Sequence, residues 1–332
     1  MRVHFAELRD HCAGLLSAAG IPATAAHTAA GLLLDADLRG LRSHGVAMLP
    51  SYLDGLSAGG ISRESEPRVA ADSAAFTILD AGHALGHLTS AYATDLVAAR
   101  ARRTGIAAVG VRRAGHFGAA STWSIRLAEA GLVGIVLANS TPVMAAPGGR
   151  RPLVGTNPIS IAAAGSGHPV VADLAASVGS VAKIRSALRD GVPVPAGWAL
   201  SDTGAATTDA AQALAGTLLP IGGAKGFALA LMIDVLTGVL TGGGFGTSVS
   251  SFIRHPEAPN NCAHLFIAVA PAAVGLDVST GVEALIGQIA ASAEDVRVPG
   301  QWRFDLAESQ LRLGLEVGPD VLARLGFAGE MW

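Results

Sequence analysis

Cysteine is nearly absent: Cys12 and Cys262 stand far apart in 332 residues, with no C-x-x-C spacing. That excludes a disulfide framework and fits a reducing cytoplasm. Charged residues make up only 15% of the chain, and the formal net charge is −3. There is no basic surplus to draw nucleic acid or an anionic membrane, so neither is expected as a partner. Long hydrophobic runs are missing too. The most apolar stretch, 227–240, carries Asp234 and is too short to span a bilayer comfortably. The opening MRVHFAELRDHCAGLL is charged throughout and lacks the apolar segment of a signal peptide. A soluble, cytoplasmic protein with a small-molecule partner is the expectation.

Several chemical signatures are also lacking. No G-x-G-x-x-G follows a strand and opens a helix, and Gly242-Gly243-Gly244-Phe245-Gly246 has the wrong spacing. Neither G-x-x-x-x-G-K-[ST], G-x-S-x-G nor H-E-x-x-H occurs. His83 and His87 are four apart but flank Gly86, with no third ligand nearby, so they read as turn or surface histidines and no metal is expected.

What is present is a chain that is half hydrophobic and long enough for two joined domains. Phe5, Leu8, Cys12, Leu15 and Leu16 recur at helical spacing until Gly20 and Pro22. A second helix is predicted over 23–38 with Leu32, Leu33 and Leu34 on its buried side, followed by the polar corner Arg42-Ser43-His44-Gly45 and an apolar stretch broken at Pro50. From about residue 75, short apolar runs at 76–79, 106–111, 132–138, 159–163, 170–172 and 265–269 read as buried strands. Helical patterns at 89–103, 119–130 and 225–240 lie between several of them, giving an α/β architecture. A last helical region, 304–327, is expected to pack on the first helices, and the Gly- and Ser-rich loop 241–259 is the expected mobile element.

Two histidines stand out. His44 sits between Ser43 and Gly45 at the exit of an apolar helix, where a serine hydroxyl can bond to an imidazole suited to proton transfer near neutral pH. Taken alone it is as readily a helix-terminus histidine. His116, in Ala114-Gly115-His116-Phe117-Gly118, follows a strand and precedes a helix, a turn whose N–H groups suit a phosphate. Many α/β turns share that composition.

The order of short motifs is more specific. Ser43-His44-Gly45 with Leu49-Pro50-x-Tyr52, Gly115-His116-Phe117-Gly118, Pro147-Gly148-Gly149, Gly155-Thr156-Asn157-Pro158, Asp173-Leu174-Ala175, Leu218-Leu219-Pro220 with Gly222-Gly223-x-Lys225-Gly226, and Val298-Pro299-Gly300 run through nearly the whole chain. In that order the set resembles the malate/L-lactate dehydrogenase family of the non-Rossmann type, which includes ureidoglycolate dehydrogenases, diketogulonate reductases, sulfolactate dehydrogenases and Δ1-piperideine-2-carboxylate reductases.

The resemblance implies an α/β fold: a non-Rossmann NAD(P)-binding mixed-sheet domain over 71–300, plus a helical domain of 1–70 completed by 301–332, assembled as a homodimer. It implies NAD or NADP as cofactor, His44 as the proton donor in reduction of a 2-oxo acid or related carbonyl, and Ser43 as its orienting partner. His116, Phe117, Gly118, Ala119 and Ala120 would hold the cofactor phosphates, with Asp173, Leu174, Ala175, Lys225 and Gly226 completing the cofactor site. Thr156, Ala176 and Met48 would face the substrate. Read without the family, Thr156-Asn157-Pro158 is also a turn, Asp173 a helix-capping carboxylate and Lys225 a solvated lysine. Three positions depart from the family pattern: Met48 replaces a carboxylate-gripping arginine, Ala224 a histidine, and Lys183 an aspartate of some imine-reducing members. The first implies that plain malate, lactate and pyruvate are poor substrates. A cyclic ketimine reductase and a catalytically silent scaffold are the alternatives.

Overall fold

Seven strands make the central sheet, in the spatial order Arg68–Asp72, Phe76–Asp80, Ile106–Ala114, Cys262–Val269, Val133–Ala138, Ile159–Ala163 and Val170–Leu174. Only Phe76–Asp80 and Ile106–Ala114 run parallel; the other pairs are antiparallel. The parallel pair is joined by the helix Gly86–Thr104, the crossover such a pair requires. All six strands expected from apolar runs are present, and several run further than the runs themselves. The computed structural model describes residues 1–294 and 296–329; positions 295 and 330–332, which fall in the expected spans 71–300 and 301–332, lie outside the described residues.

One face of the sheet packs on the helices Gly86–Thr104 and Ala120–Glu129 around the fully buried Trp123. The other face meets the helix Ala224–Asp234 through Ile233, Leu137 and Leu265. A smaller five-stranded sheet, Ala206–Thr207, Ala199–Leu200, Thr217–Leu218, Met144–Ala145 and Pro152–Val154, was not expected, because strands of two or three residues leave no periodicity to read.

The terminal segments form a helical layer. Phe5–Ala18, Ala23–Leu38 and Leu49–Ala58 share a core with Leu315, Val317, Leu322 and Leu325. Ala23–Leu38 links the two cores: Leu33 and Leu34 lie in the helical core, while Leu32 joins the sheet core. Pro50 does not break the third helix. It stands in the first turn of Leu49–Ala58, where its missing N–H costs nothing. The last helical region is two helices, Gln301–Leu313 and Pro319–Arg324, parted by the strand Leu315–Glu316. That strand pairs with Arg2–Val3 and so ties the two ends of the chain together. The loop 241–259, expected to be mobile, is pinned: Gly244 O and Gly246 N bond to Asn139 and Asp234, and Phe252 stacks on Tyr52.

Val3 is fully buried in this terminal pairing. Val3→Ala removes two methyl groups from a packed core and should lower unfolding stability by about 2 kcal/mol. Urea titration should show the midpoint fall with an unchanged slope.

Candidate active site

The helix Ala23–Leu38 ends in two short 3-10 turns, Arg42–His44 and Val46–Met48. What shapes them is a buried acid one turn back. Asp37 Oδ2 accepts the N–H of Val46 at 2.7 Å. The carboxyl group lies so close beneath Gly45 that a Cβ there would stand 2.2 Å from it, so only glycine fits. Burial pushes the Asp37 carboxyl up to about 7, against the Val46 hydrogen bond and the charge of Arg42. The turn presents His44, part-exposed, with Nδ1 3.0 Å from Ser43 Oγ.

Behind His44 lies a nest of rings. The His116 imidazole stacks on His44 with centroids 5.8 Å apart and on Phe252 at 5.3 Å. Tyr52, fully buried, has its hydroxyl 2.7 Å from His116 Nδ1 and its ring edge-on to His87. His264 stacks on Phe117 at 4.3 Å. Burial pushes His87 and His264 down to about 3 and His116 well below the ordinary imidazole range, so all three are neutral. His44 is lowered by burial, an effect opposed by Asp173 and reinforced by Arg303. His87, read from sequence as a turn or surface residue, is instead buried in the first turn of the helix Gly86–Thr104. Among the described residues neither of its ring nitrogens has a partner. Gly118 lies against it with φ +78°, and a Cβ would come within 2.8 Å of His87 Nε2. The glycine is therefore required by the imidazole beside it as well as by its left-handed backbone.

A second group of residues converges on the end of the edge strand Val170–Leu174. Asp173 accepts a 2.6 Å hydrogen bond from Ser121 Oγ, in the first turn of the helix Ala120–Glu129. Ala176 N–H donates to Thr156 O, and Ile221 N–H donates to Ala176 O, just ahead of the helix Ala224–Asp234. Neither Ala120–Glu129 nor Ala224–Asp234 has a side chain capping its N-terminus. Two uncapped N-termini thus flank the Asp173–Ala176 segment, with Lys225 exposed in the first turn of one. A cation there opposes the helix dipole unless an anion shares the site, so the arrangement fits a dinucleotide pyrophosphate. Among the described residues no group of three or more His, Cys, Asp or Glu side chains is arranged to hold a metal ion.

A sequence profile of malate/L-lactate dehydrogenase matches residues 3–326. The chain belongs to the malate/L-lactate dehydrogenase family. It is 34% identical over 320 residues to the L-sulfolactate dehydrogenase of Methanothermobacter thermautotrophicus, covering 96% of this chain and 93% of that one. Against the (2R)-3-sulfolactate dehydrogenase (NADP(+)) of Chromohalobacter salexigens it is 38% identical over 292 residues, covering 88% and 87%. The crystal structure of Δ1-piperideine-2-carboxylate reductase from Pseudomonas syringae superposes with a TM-score of 0.91 at 30% identity, covering 98% of each chain. Membership makes the chain an oxidoreductase of the dehydrogenase type and agrees with the mixed-sheet, non-Rossmann fold.

Within that family frame, the sequence-predicted residues fall into three sets. Ser43, His44 and His116 come together at the ring nest, where the His116 side chain is engaged by Tyr52. Phe117 turns its ring inward, and Gly118, Ala119 and Ala120 are buried. Thr156, Asp173, Leu174, Ala175, Lys225 and Gly226 form the second group, with Leu174, Ala175 and Lys225 exposed. Ala176 sits within the second group but is sealed inside it, and Met48 stands apart. Ala176 is fully buried and both its backbone polar groups are engaged, so it shapes the wall without a free donor or acceptor. Met48 packs against the helical core. Lys183 lies over the Trp198 ring. Residues not singled out beforehand are Asp37, Phe252, His264 and Arg303, and His87 was noticed but misplaced. Two acids in the apolar run Leu32-Leu33-Leu34-Asp35-Ala36-Asp37-Leu38, of which Asp37 is the buried one, and a lone histidine in the apolar strand Cys262–Val269 were the available signals.

Because the folded Asp37 carboxyl titrates near 7 and an unfolded one near 3.8, the folded state binds the extra proton between those values. Its contribution to stability is therefore full below about 4 and declines as pH rises through about 7. Asp37→Asn keeps an acceptor for Val46 N–H without the charge. The stability of the variant relative to wild type should rise across that window and level off above it, as chemical denaturation at a series of pH values will show.

Proposed function

We propose that this chain is an NAD(P)H-dependent reductase of a small 2-oxo acid, and in reverse a 2-hydroxy acid dehydrogenase, with His44 as the proton donor. The observation that carries this reading is the Ser43-held imidazole of His44 within electrostatic reach of Asp173, on the strand end flanked by two uncapped helix N-termini. The bound dihydronicotinamide supplies a hydride to the carbonyl carbon. His44 delivers a proton to the carbonyl oxygen, which becomes the hydroxyl, and takes it back in the oxidation. Ser43 fixes the ring through Nδ1 and leaves Nε2 for the substrate. The N–H groups at 120–121 and 224–226 together with Lys225 hold the phosphates, and Thr156 Oγ1, 3.4 Å from Ser140 Oγ, lines the substrate side.

With methionine at 48, another group must meet the substrate carboxylate. Arg42 pairs with Glu316, and Arg112 and Arg113 pair with Asp80. Arg303 is half-buried, uses Nη1 on Arg39 O, and acts electrostatically on both His44 and Asp173. It supplies the positive charge and leaves room at Met48 for a larger or more apolar substituent than those of lactate or malate. Reduction of a cyclic ketimine is the second reading, favoured by the likeness to piperideine-2-carboxylate reductase. His44 would then protonate nitrogen.

The enzyme works as a homodimer. Leu229, Met232, Leu236, Val239 and Leu240 recur at helical spacing and are all exposed, on a segment whose opposite side is packed on the sheet. Apolar surface of that extent on a helix marks an interaction face. Both cysteines are free and buried, in keeping with a reducing cytoplasm.

His44→Ala should bind NADH or NADPH as wild type does, read by cofactor fluorescence, yet lose about 10²–10⁴-fold in kcat. Wild-type reduction should fall as pH rises through a value below the ordinary imidazole range, because the donor must be protonated and burial lowers its pKa; oxidation should show the opposite limb. Unchanged kcat in the variant would remove His44 from the mechanism. For the assembly, Met232→Glu with Leu236→Glu should sediment as a 33.3 kDa monomer where wild type sediments as a dimer.

A further inference from the structure

The hydroxyl of Tyr52 and the backbone N–H of Gly118 converge on the same ring nitrogen, His116 Nδ1, at 2.7 and 3.4 Å. A phenol can either donate or accept, so the first contact alone leaves the tautomer open. The second does not, because a backbone N–H only donates. Nδ1 must therefore be an acceptor, and the single proton of the neutral ring is on Nε2. Tyr52 is held in place for this contact by its stack on Phe252, with ring planes 7° apart, and by burial that keeps the phenol protonated.

The surroundings also keep the ring uncharged. The titratable groups that bear on His116 are His44, His87, His264 and Tyr52, none of them an acid at neutral pH. Phe252 covers one face, and the Nδ1 edge is already taken. The nitrogen left over on this part-exposed residue, whose ring is stacked against His44, is Nε2.

We propose that Tyr52 is a positioning residue that locks His116 as a neutral Nε2–H donor, so that the pocket contains one imidazole that exchanges protons, His44, and one that only donates a hydrogen bond to an oxygen of the substrate. The inference rests on the reductase reading above. Two stacked histidines that both titrated would divide the proton between them, and the ring carrying it would not always be the one facing the reacting oxygen. With His116 fixed, it polarises the substrate without competing for the proton that His44 must deliver.

The test has a spectroscopic arm and a kinetic arm. In protein labelled with ¹⁵N-histidine, long-range ¹⁵N–¹H spectra near neutral pH should show His116 as the neutral Nε2–H form. In Tyr52→Phe, which keeps the ring stack and removes only the hydroxyl, a mixture of tautomers should appear. In steady-state reduction of a 2-oxo acid panel, Tyr52→Phe should lose about tenfold in kcat/KM, the worth of one hydrogen bond. His116→Gln, whose amide nitrogen reaches the Nε2 position, should keep more activity than His116→Asn, which reaches only the Nδ1 position. A wild-type His116 that is protonated at Nδ1 or cationic near neutrality overturns the proposal. So does a Tyr52→Phe enzyme with the tautomer and kcat/KM of wild type. If Tyr52→Phe does not fold, the wild-type spectrum and the Gln–Asn comparison decide. Failure of the wild type to reduce any 2-oxo acid overturns the reading of function instead, and the ring spectrum still reports the tautomer.

Discussion

The bond from Val46 N–H to the buried carboxyl of Asp37 decides where His44 stands. It joins the last turn of a helix sunk in two hydrophobic cores to a loop of short turns with little regular structure of its own. The carboxyl fills the space a side chain at position 45 would need, so the glycine after His44 and the acid eight residues before it are parts of one fitting. Placing an ionisable group there is costly, and its raised pKa records that cost. The imidazole, although it belongs to a loop, is thereby tied to a helix shared by two cores.

The ring nest behind the loop sets the electrostatics. Three imidazoles that would ordinarily be partly charged near pH 6 are desolvated and neutral. His116 and His87 give His44 a polarisable but uncharged neighbourhood, with His264 behind them. Of the charged groups that bear on the His44 ring, Asp173 favours its protonated form and Arg303, on the first turn of the helix Gln301–Leu313, opposes it. His44 thus lies between opposing charges at a margin where solvent still reaches, as the proposed proton exchange requires.

Much of this was legible in the residues. Apolar runs marked six of the seven strands of the central sheet, missing Arg68–Asp72, whose residues are all exposed, and 23–38 was read as a helix with the bounds it has. The ordered motifs around Ser43-His44, Thr156 and Asp173-Leu174-Ala175 named the family. What escaped was set by contacts across sequence distance. Tyr52 lies 64 positions from the ring it bonds, and nothing local to either residue announces the other. His87 and His264 are single polar residues in segments otherwise explained by packing, so their burial could be seen only once the helix and strand were placed. Pro50 misled because the same residue that ends a helix from within also opens one. Met48 stood out by family comparison, while the arginine that bears on the same region, Arg303, is supplied by the far end of the chain.

The pairing of Arg2–Val3 with Leu315–Glu316 has a consequence for biosynthesis. A ribosome delivers the helices of the first sixty residues early, but the strand and the Leu322 and Leu325 side chains that complete their core arrive last. Until then the nascent helical layer exposes part of its apolar interior, the condition under which chains aggregate or engage chaperones. The loop bearing His44 rests on that layer, so His44 settles only after the central sheet, whose strands all precede residue 270, has been made.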